Sequence, residues 1–272
     1  MALTTVVSYN TKVANPVGVP FIKTTNAVGT ASYPYSLWVN AANAGAVPTT
    51  AAVPTQALAG GMPEVPTATA GKLYISAITI NSEEDGTYIL CDRLSHQGGL
   101  SGTAVGEQTT NLPTAALTRY TDGVGVQAAV DITTAVGVTA RTFTLNYTNT
   151  AAAAGRTSIA ADIGGTTFRE ANRFIPAPLA ASDVGLLSIE GLTLSASTGT
   201  AGVFGLTLYK PLLAVHVAGR NRKPVRYDAF RSGFEMIEIY PGACLFFQQL
   251  TMGTDYPVGG DISGMIEIIN VV

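Results

Sequence analysis

No stretch of this chain sustains an apolar period of 3.6 residues over several turns, which removes a helical framework from consideration. What recurs instead is period-two alternation in short runs punctuated by glycine and proline, the pattern of half-buried strands. The clearest case runs from Ser188 to Leu213, SIEGLTLSASTGTAGVFGLTLYKPLL. Leu192 and Leu194 alternate with Thr193 and Ser195, and Phe204, Leu206 and Leu208 alternate with Gly205 and Thr207. The small polar segment Ser197 to Gly202 lies between them, so the spacing predicts two strands folded back on each other as a hairpin. The stretch contains no catalytic constellation. Its side chains are suited to packing and display.

Similar punctuation organises the rest of the chain. Lys72 to Ile80 and Thr87 to Leu94 flank the turn-forming run Asn81-Ser82-Glu83-Glu84-Asp85-Gly86. Gly125 to Thr133 and Arg141 to Tyr147 read as a second strand pair, with Thr157 to Ile163 returning. Residues 95–116 read as loop. Phe168 to Phe174 fits one or two helical turns stopped by Pro176 and Pro178. Phe234 to Tyr240, Cys244 to Leu250 and Met265 to Val271 close the series. The expectation is an all-β domain over residues 71–272, a β-sandwich of jelly-roll type, with barrel and immunoglobulin-like variants as the alternatives because strand order is not readable from the sequence. Residues 1–70 read as an extended, Pro-rich N-terminal arm, since Pro16, Pro20, Pro34, Pro48, Pro54, Pro63 and Pro66 interrupt it. Within it, Tyr33 to Val39 concentrates aromatics around Tyr35 and the single Trp38. Two readings of this anchor stand: a tether into a neighbouring subunit, or an N-terminal strand of the same sandwich.

Composition bears on function. Charged residues make up 12% of the chain and mean hydropathy is +0.29, against roughly 25% charge in an ordinary soluble domain. A surface this poor in charge suits one that a partner covers. The net charge of −3 argues against direct nucleic-acid binding, which needs a concentrated positive face. Met1-Ala2-Leu3-Thr4 lacks a basic-then-apolar leader and no run reaches the length of a membrane span, so the expectation is a soluble protein made in the cytoplasm without membrane contact. Cys91 and Cys244 sit among apolar residues and read as core thiols.

The constellations that resemble chemistry are weak. Gly123-Val124-Gly125-Val126-Gln127-Ala128 fits G-x-G-x-x-A, but turn residues precede it and strand residues follow, where a dinucleotide site needs strand then helix. Glu83, Glu84 and Asp85 lack the spacing of a calcium loop. His96 and His216 have no neighbouring ligands at metal spacing, and Ser101, Ser182 and Asp183 lack a nucleophile elbow. No enzymatic role and no cofactor or metal is expected. Arg220, Arg222, Lys223, Arg226 and Arg231 form a local basic patch beside Tyr227 and Phe230. We read it as a docking loop for an acidic protein surface.

Four stretches resemble a family of tailed-bacteriophage virion structural proteins: LTRYTDGVGVQAAVDITTAVG (117–137), LNYTNTAAAAGRTS (145–158), FIPAPLAASDVGLLSIEGLTLSASTGTAGVFGLTLYKPL (174–212) and, more loosely, YPGACLFFQQL (240–250). The resemblance implies a non-enzymatic particle component. Joined to the composition, it leads us to expect a decoration or cement protein on the capsid exterior of a virion, a homo-oligomer, specifically a trimer, that bridges major capsid protein subunits. The expected partner-binding residues are Tyr35, Trp38, Arg220, Arg222, Lys223 and Arg226. The alternatives are a tail, neck or fibre component and, from another class, a carbohydrate-binding β-sandwich.

Overall fold

A computed structural model describes residues 16–24, 33–39, 45–62, 66, 71–83, 85–218, 224–229, 232–233, 235–251 and 261–271. Among them the chain forms strands, one short 3-10 turn (Leu112–Thr114) and no α-helix. In chain order the strands are β1 (Val17–Thr24), β2 (Pro34–Ser36), β3 (Lys72–Ser82), β4 (Gly86–Leu100), β5 (Gly106–Thr109), β6 (Gln127–Thr134), β7 (Arg141–Asn149) and β8 (Arg156–Thr157). There follow β9 (Ala161–Ile163), β10 (Phe174–Ala177), β11 (Leu186–Leu194), β12 (Val203–Val217), β13 (Val225–Asp228), β14 (Ile237–Ile239), β15 (Leu245–Thr251) and β16 (Asp261–Val271).

They build three antiparallel sheets. The central one has the order β10-β6-β12-β4-β15-β2 and is spanned by the long strands β4 and β12. One flanking sheet is β1-β16-β3-β13 with β14 also on β3, and the other is β5-β11-β7-β8 with β9 also on β7. The principal pairings are nested, β3 with β16, β4 with β15, β6 with β12 and β7 with β11. First-with-last nesting is the winding of a jelly roll. The expected all-β sandwich is thus what the chain forms.

Each flanking sheet makes its own core against one end of β4 and β12. At one end Leu94, Val130, Ile132, Leu206 and Leu208 of the central sheet pack on Phe143, Leu145, Ile189 and Leu192. At the other, Tyr88, Leu90, Val215 and Phe247 pack on Val19, Ile75, Ile78 and Ile266. A third cluster, built on Trp38, Cys91, Phe174, Tyr209 and Phe246, also draws on the central strands. Adjacent residues Cys91 and Leu90, like Phe246 and Phe247, go to different clusters, as alternation across a sheet requires.

The stretch from Ser188 to Leu213 does not close as a hairpin. β11 pairs with β7 and β5 while β12 pairs with β4 and β6, so the two strands lie in different sheets. Their apolar faces meet nevertheless, because Leu192, Leu194, Phe204, Leu206 and Leu208 share one core. Alternation requires only that one face of each strand be buried, and two stacked sheets about 10 Å apart satisfy it as well as a ladder does. The same correction applies to β3 and β4 and to β6 and β7, whose ladders also run to other strands.

Three further expectations change. Residues 95–116 are not all loop, since β4 continues through Gly98 and Gly99 to Leu100; a side chain on Gly98 would press on the Pro48 carbonyl and the Val47 side chain. Phe174 begins a strand rather than ending a helical turn, and Pro176 is tolerated because β10 is an edge strand. The described parts of residues 1–70 belong to the sandwich: β1 runs along β16 from Val17↔Ile268 to Thr24↔Asp261, and β2 extends the central sheet beyond β15.

Candidate functional site

Charge is drawn inward in this fold. The 15 Lys and Arg and 18 Asp and Glu include Lys23, Asp92, Arg93, Arg119, Asp131 and Arg173, none more than 5% exposed. Arg119 grips Asp92 with two bonds, Nε to Oδ2 at 2.8 Å and Nη2 to Oδ1 at 3.0 Å, and Nη2 also donates to the carbonyls of Pro54 and Arg93. The Cys244 backbone N–H donates to Asp92 Oδ1 at 2.9 Å. Asp92 therefore ties β4 to the loop before β6 and to the turn before β15. Burial pushes the carboxyls of Asp92 and Asp131 up, and their guanidinium partners oppose it. With these groups internal, the exterior is poorer in charge than the composition alone indicates.

The aromatic anchor belongs to this interior. Tyr35 and Trp38 are both fully buried. The Arg173 guanidinium lies 4.1 Å from the Tyr35 ring centre, and that of Arg93 lies 4.5 Å from the Trp38 ring. The Trp38 indole N–H donates to the Ala46 carbonyl at 2.8 Å and its ring packs edge-on to Phe246. Of the two readings of this anchor, the structure places it in the chain's own sandwich, where neither side chain can touch a partner without the core opening.

Arg220, Arg222 and Lys223, with Arg231 and Phe230, lie outside the described residues. Arg226 is described: it sits on β13 opposite Thr79, forms a two-pronged pair with Glu267 of β16, and has Asp228 at 3.9 Å. Its side chain is half exposed, but its charge is already engaged within the flanking sheet.

The surface that sequence reasoning missed is the end where three connections cross from the central sheet to the β5-β11-β7 sheet. These are Ser101–Val105, Ala135–Ala140 and Ser195–Gly202, and none contains a charged residue. Thr198, buried beneath them, joins all three. Its hydroxyl lies 2.9 Å from the Gly102 carbonyl and 3.0 Å from the Gly137 N–H, and its backbone bonds to Gly102 and Thr139. Gly137 is required here, since a Cβ would collide with the Thr198 carbonyl. Val105 and Val138 project from this end at 69% and 67% exposure, with Val203 beside them at the start of β12. The uncharged runs are visible in the sequence; that they converge is decided by strand pairing.

The remaining candidates are structural. Cys91 and Cys244 are buried free thiols, and burial pushes Cys244 up to about 12. Gly123 to Ala128 leads from a turn into β6, with no helix to receive a phosphate. His96 is buried, its Nδ1 lying 2.8 Å from Thr207 Oγ1 and 3.1 Å from Arg93 Nη1. Asp183 accepts from Tyr147, Asn149 and Arg156 rather than from a histidine. Among the described residues no group of three or more His, Cys, Asp or Glu is placed to hold a metal ion, and no helix is long and apolar enough to cross a membrane.

No protein-family model matches the chain, and no curated protein matches it. Among solved structures it can be aligned with the VP2 subviral particle of infectious bursal disease virus, at 8% identity over 94% of this chain and 81% of that one, with a TM-score of 0.17.

Proposed function

We propose that this chain is a structural protein of a bacteriophage virion, a decoration or cement subunit that acts as a homo-oligomer, specifically a trimer, on the capsid exterior and bridges major capsid protein subunits. The observation that carries the reading is the end formed by Ser101–Val105, Ala135–Ala140 and Ser195–Gly202, whose connections hold no charged residue of their own, with Val105 and Val138 projecting from it. Arg141 and Arg169 at its edge already donate to the Ser197, Ala140 and Val136 carbonyls, so burying the projecting valines against a partner releases water at little electrostatic cost. The withdrawal of Arg93, Arg119, Asp92 and Asp131 into the core favours the same use, and so does the resemblance of residues 117–137 and 174–212 to virion proteins. Many copies, each contributing modestly, would oppose the outward pressure of packaged DNA by mass action.

The test pairs the intact protein with a Val105→Asp, Val138→Asp double variant. Both positions are exposed, so thermal stability should be unchanged. Particles carrying the variant should show reduced occupancy in a low-resolution reconstruction, and sedimentation should show a smaller oligomer. Copies placed on a tail or neck would move the protein to another part of the virion. Full occupancy and unchanged sedimentation of the variant would remove this end from assembly.

A further inference from the structure

A cleft of about 430 Å³ opens beside the loop Arg119 to Val126, on the side of the central sheet where β14 approaches β12. Its walls are Tyr120, Asp122 and Val124 from the loop, Lys210 and Leu212 from β12, and Ile237, Glu238 and Tyr240. The size is within the range of small-molecule sites. Another cleft of about 360 Å³ lies across the loop against Pro176 and Asp183. It is less apt for a ligand because Asp183 already accepts from three side chains.

The loop is held in one unusual shape. Arg119 is locked to Asp92 at its base. Tyr120 adopts φ 50°, which costs a non-glycine residue energy and persists only where its surroundings impose it. Gly123 and Gly125, at φ 69° and 68°, complete the turn, and the Asp122 carboxylate accepts from the Val124 N–H at 3.1 Å. On the other wall a bulge between Pro211 and Leu213 breaks the β12–β4 register. Bulges of this kind re-aim side chains beside binding sites.

The chemistry inside is mixed in a particular way. Tyr120 and Tyr240 meet edge to face with ring centres 4.8 Å apart. Lys210 Nζ donates to the Val124 carbonyl at 2.7 Å and stands 5.6 Å from the Tyr120 ring centre. The Glu238 carboxylate at the rim is paired with Lys72 at 2.7 Å. Lys72 neutralises Glu238 from outside the lining and leaves Asp122 and Lys210 to balance, so the cleft favours neither an anion nor a cation. Aromatic and aliphatic surface, with the Asp122 carboxylate, Thr121 hydroxyl and Lys210 ammonium around it, matches a molecule with an apolar face and a rim of hydroxyls.

We propose that this cleft binds a neutral saccharide, one or two pyranose rings, with Tyr120 and Tyr240 supplying apolar contact and Asp122 and Lys210 bonding its hydroxyls. The inference goes beyond the particle role and does not depend on it.

The test uses the intact isolated protein, so its outcome is independent of particle occupancy. Saturation-transfer NMR is run with glucose, galactose, mannose, N-acetylglucosamine, maltose and cellobiose, and with glucuronic and N-acetylneuraminic acids as charged comparators. At least one neutral sugar should give a saturable signal. Affinity should fall about tenfold or more in Tyr240→Ala and in Asp122→Asn, while Tyr240→Phe keeps it. Circular dichroism melts establish that the variants are folded; if Tyr240→Ala is not, Asp122→Asn alone decides, since Asp122 is exposed. The proposal is overturned if no neutral sugar binds, if an acidic sugar binds more tightly than every neutral one, or if affinity is unchanged in the folded variants.

Discussion

Arg93 donates through Nη2 to Asp131 Oδ2 at 2.7 Å, and each side chain is 1% exposed. The pair links β4 to β6 across the intervening β12, and the same guanidinium stacks over Trp38 and Phe246. Removing one member leaves the other charged and dry. Asp131→Ala should therefore lose about 3–5 kcal/mol in urea unfolding, whereas replacing both by apolar residues of similar volume should recover most of that loss.

His96 gives the fold a defined acid sensitivity. Burial, with the neighbouring Arg93 charge added to it, holds the imidazole well below its usual 6.5. The folded state thus refuses a proton that the unfolded chain accepts. Its contribution is complete above pH 6.5 and is lost as pH falls below that value, with a slope of at most about 1.4 kcal/mol per pH unit. His96→Asn, which keeps an acceptor near the Nδ1 position, should flatten the slope. Urea midpoints followed downward from neutral pH check this; equal slopes in the two proteins would refute it.

Trp38 separates the core reading from the docking reading of the aromatic anchor. Its ring fills the third cluster and covers Arg93, so Trp38→Ala should cost about 3–5 kcal/mol. At temperatures where the variant stays folded, particle occupancy should match the parent protein. A variant of parental stability with lost occupancy would return Trp38 to a partner interface.

The strands were legible because alternation is local. Leu192 and Leu194, and Phe204, Leu206 and Leu208, each reveal a buried face before any partner is known. Pairing was not legible, since β11 and β12 show the same alternation whether they form one ladder or face each other across a core. The same gap hid both surface features. Ser101–Val105, Ala135–Ala140 and Ser195–Gly202 converge only once three arches are known to share one end, and Tyr120 meets Tyr240 only through the fold. Arg119, by contrast, had no signal at all: an isolated arginine in a polar loop gives no hint that Asp92 receives it.

Thr198 controls whether the end formed by Ser101–Val105, Ala135–Ala140 and Ser195–Gly202 holds its shape. Its hydroxyl is within bonding distance of the buried Gly137 N–H and of the Gly102 and Thr200 carbonyls. Valine fills almost the same volume but offers neither donor nor acceptor, so Thr198→Val strands the Gly137 N–H without a cavity to complicate the outcome. The expected cost is about 1–3 kcal/mol for an unpaired buried donor. The loss should be local as well as global: hydrogen exchange should quicken at Gly102, Gly137 and Thr139 while Leu90 and Ile78, in the other core, keep their protection. Uniformly faster exchange throughout the chain would show that Thr198 supports the whole sandwich rather than its end, and unchanged exchange at the three loop amides would show that the hydroxyl is dispensable.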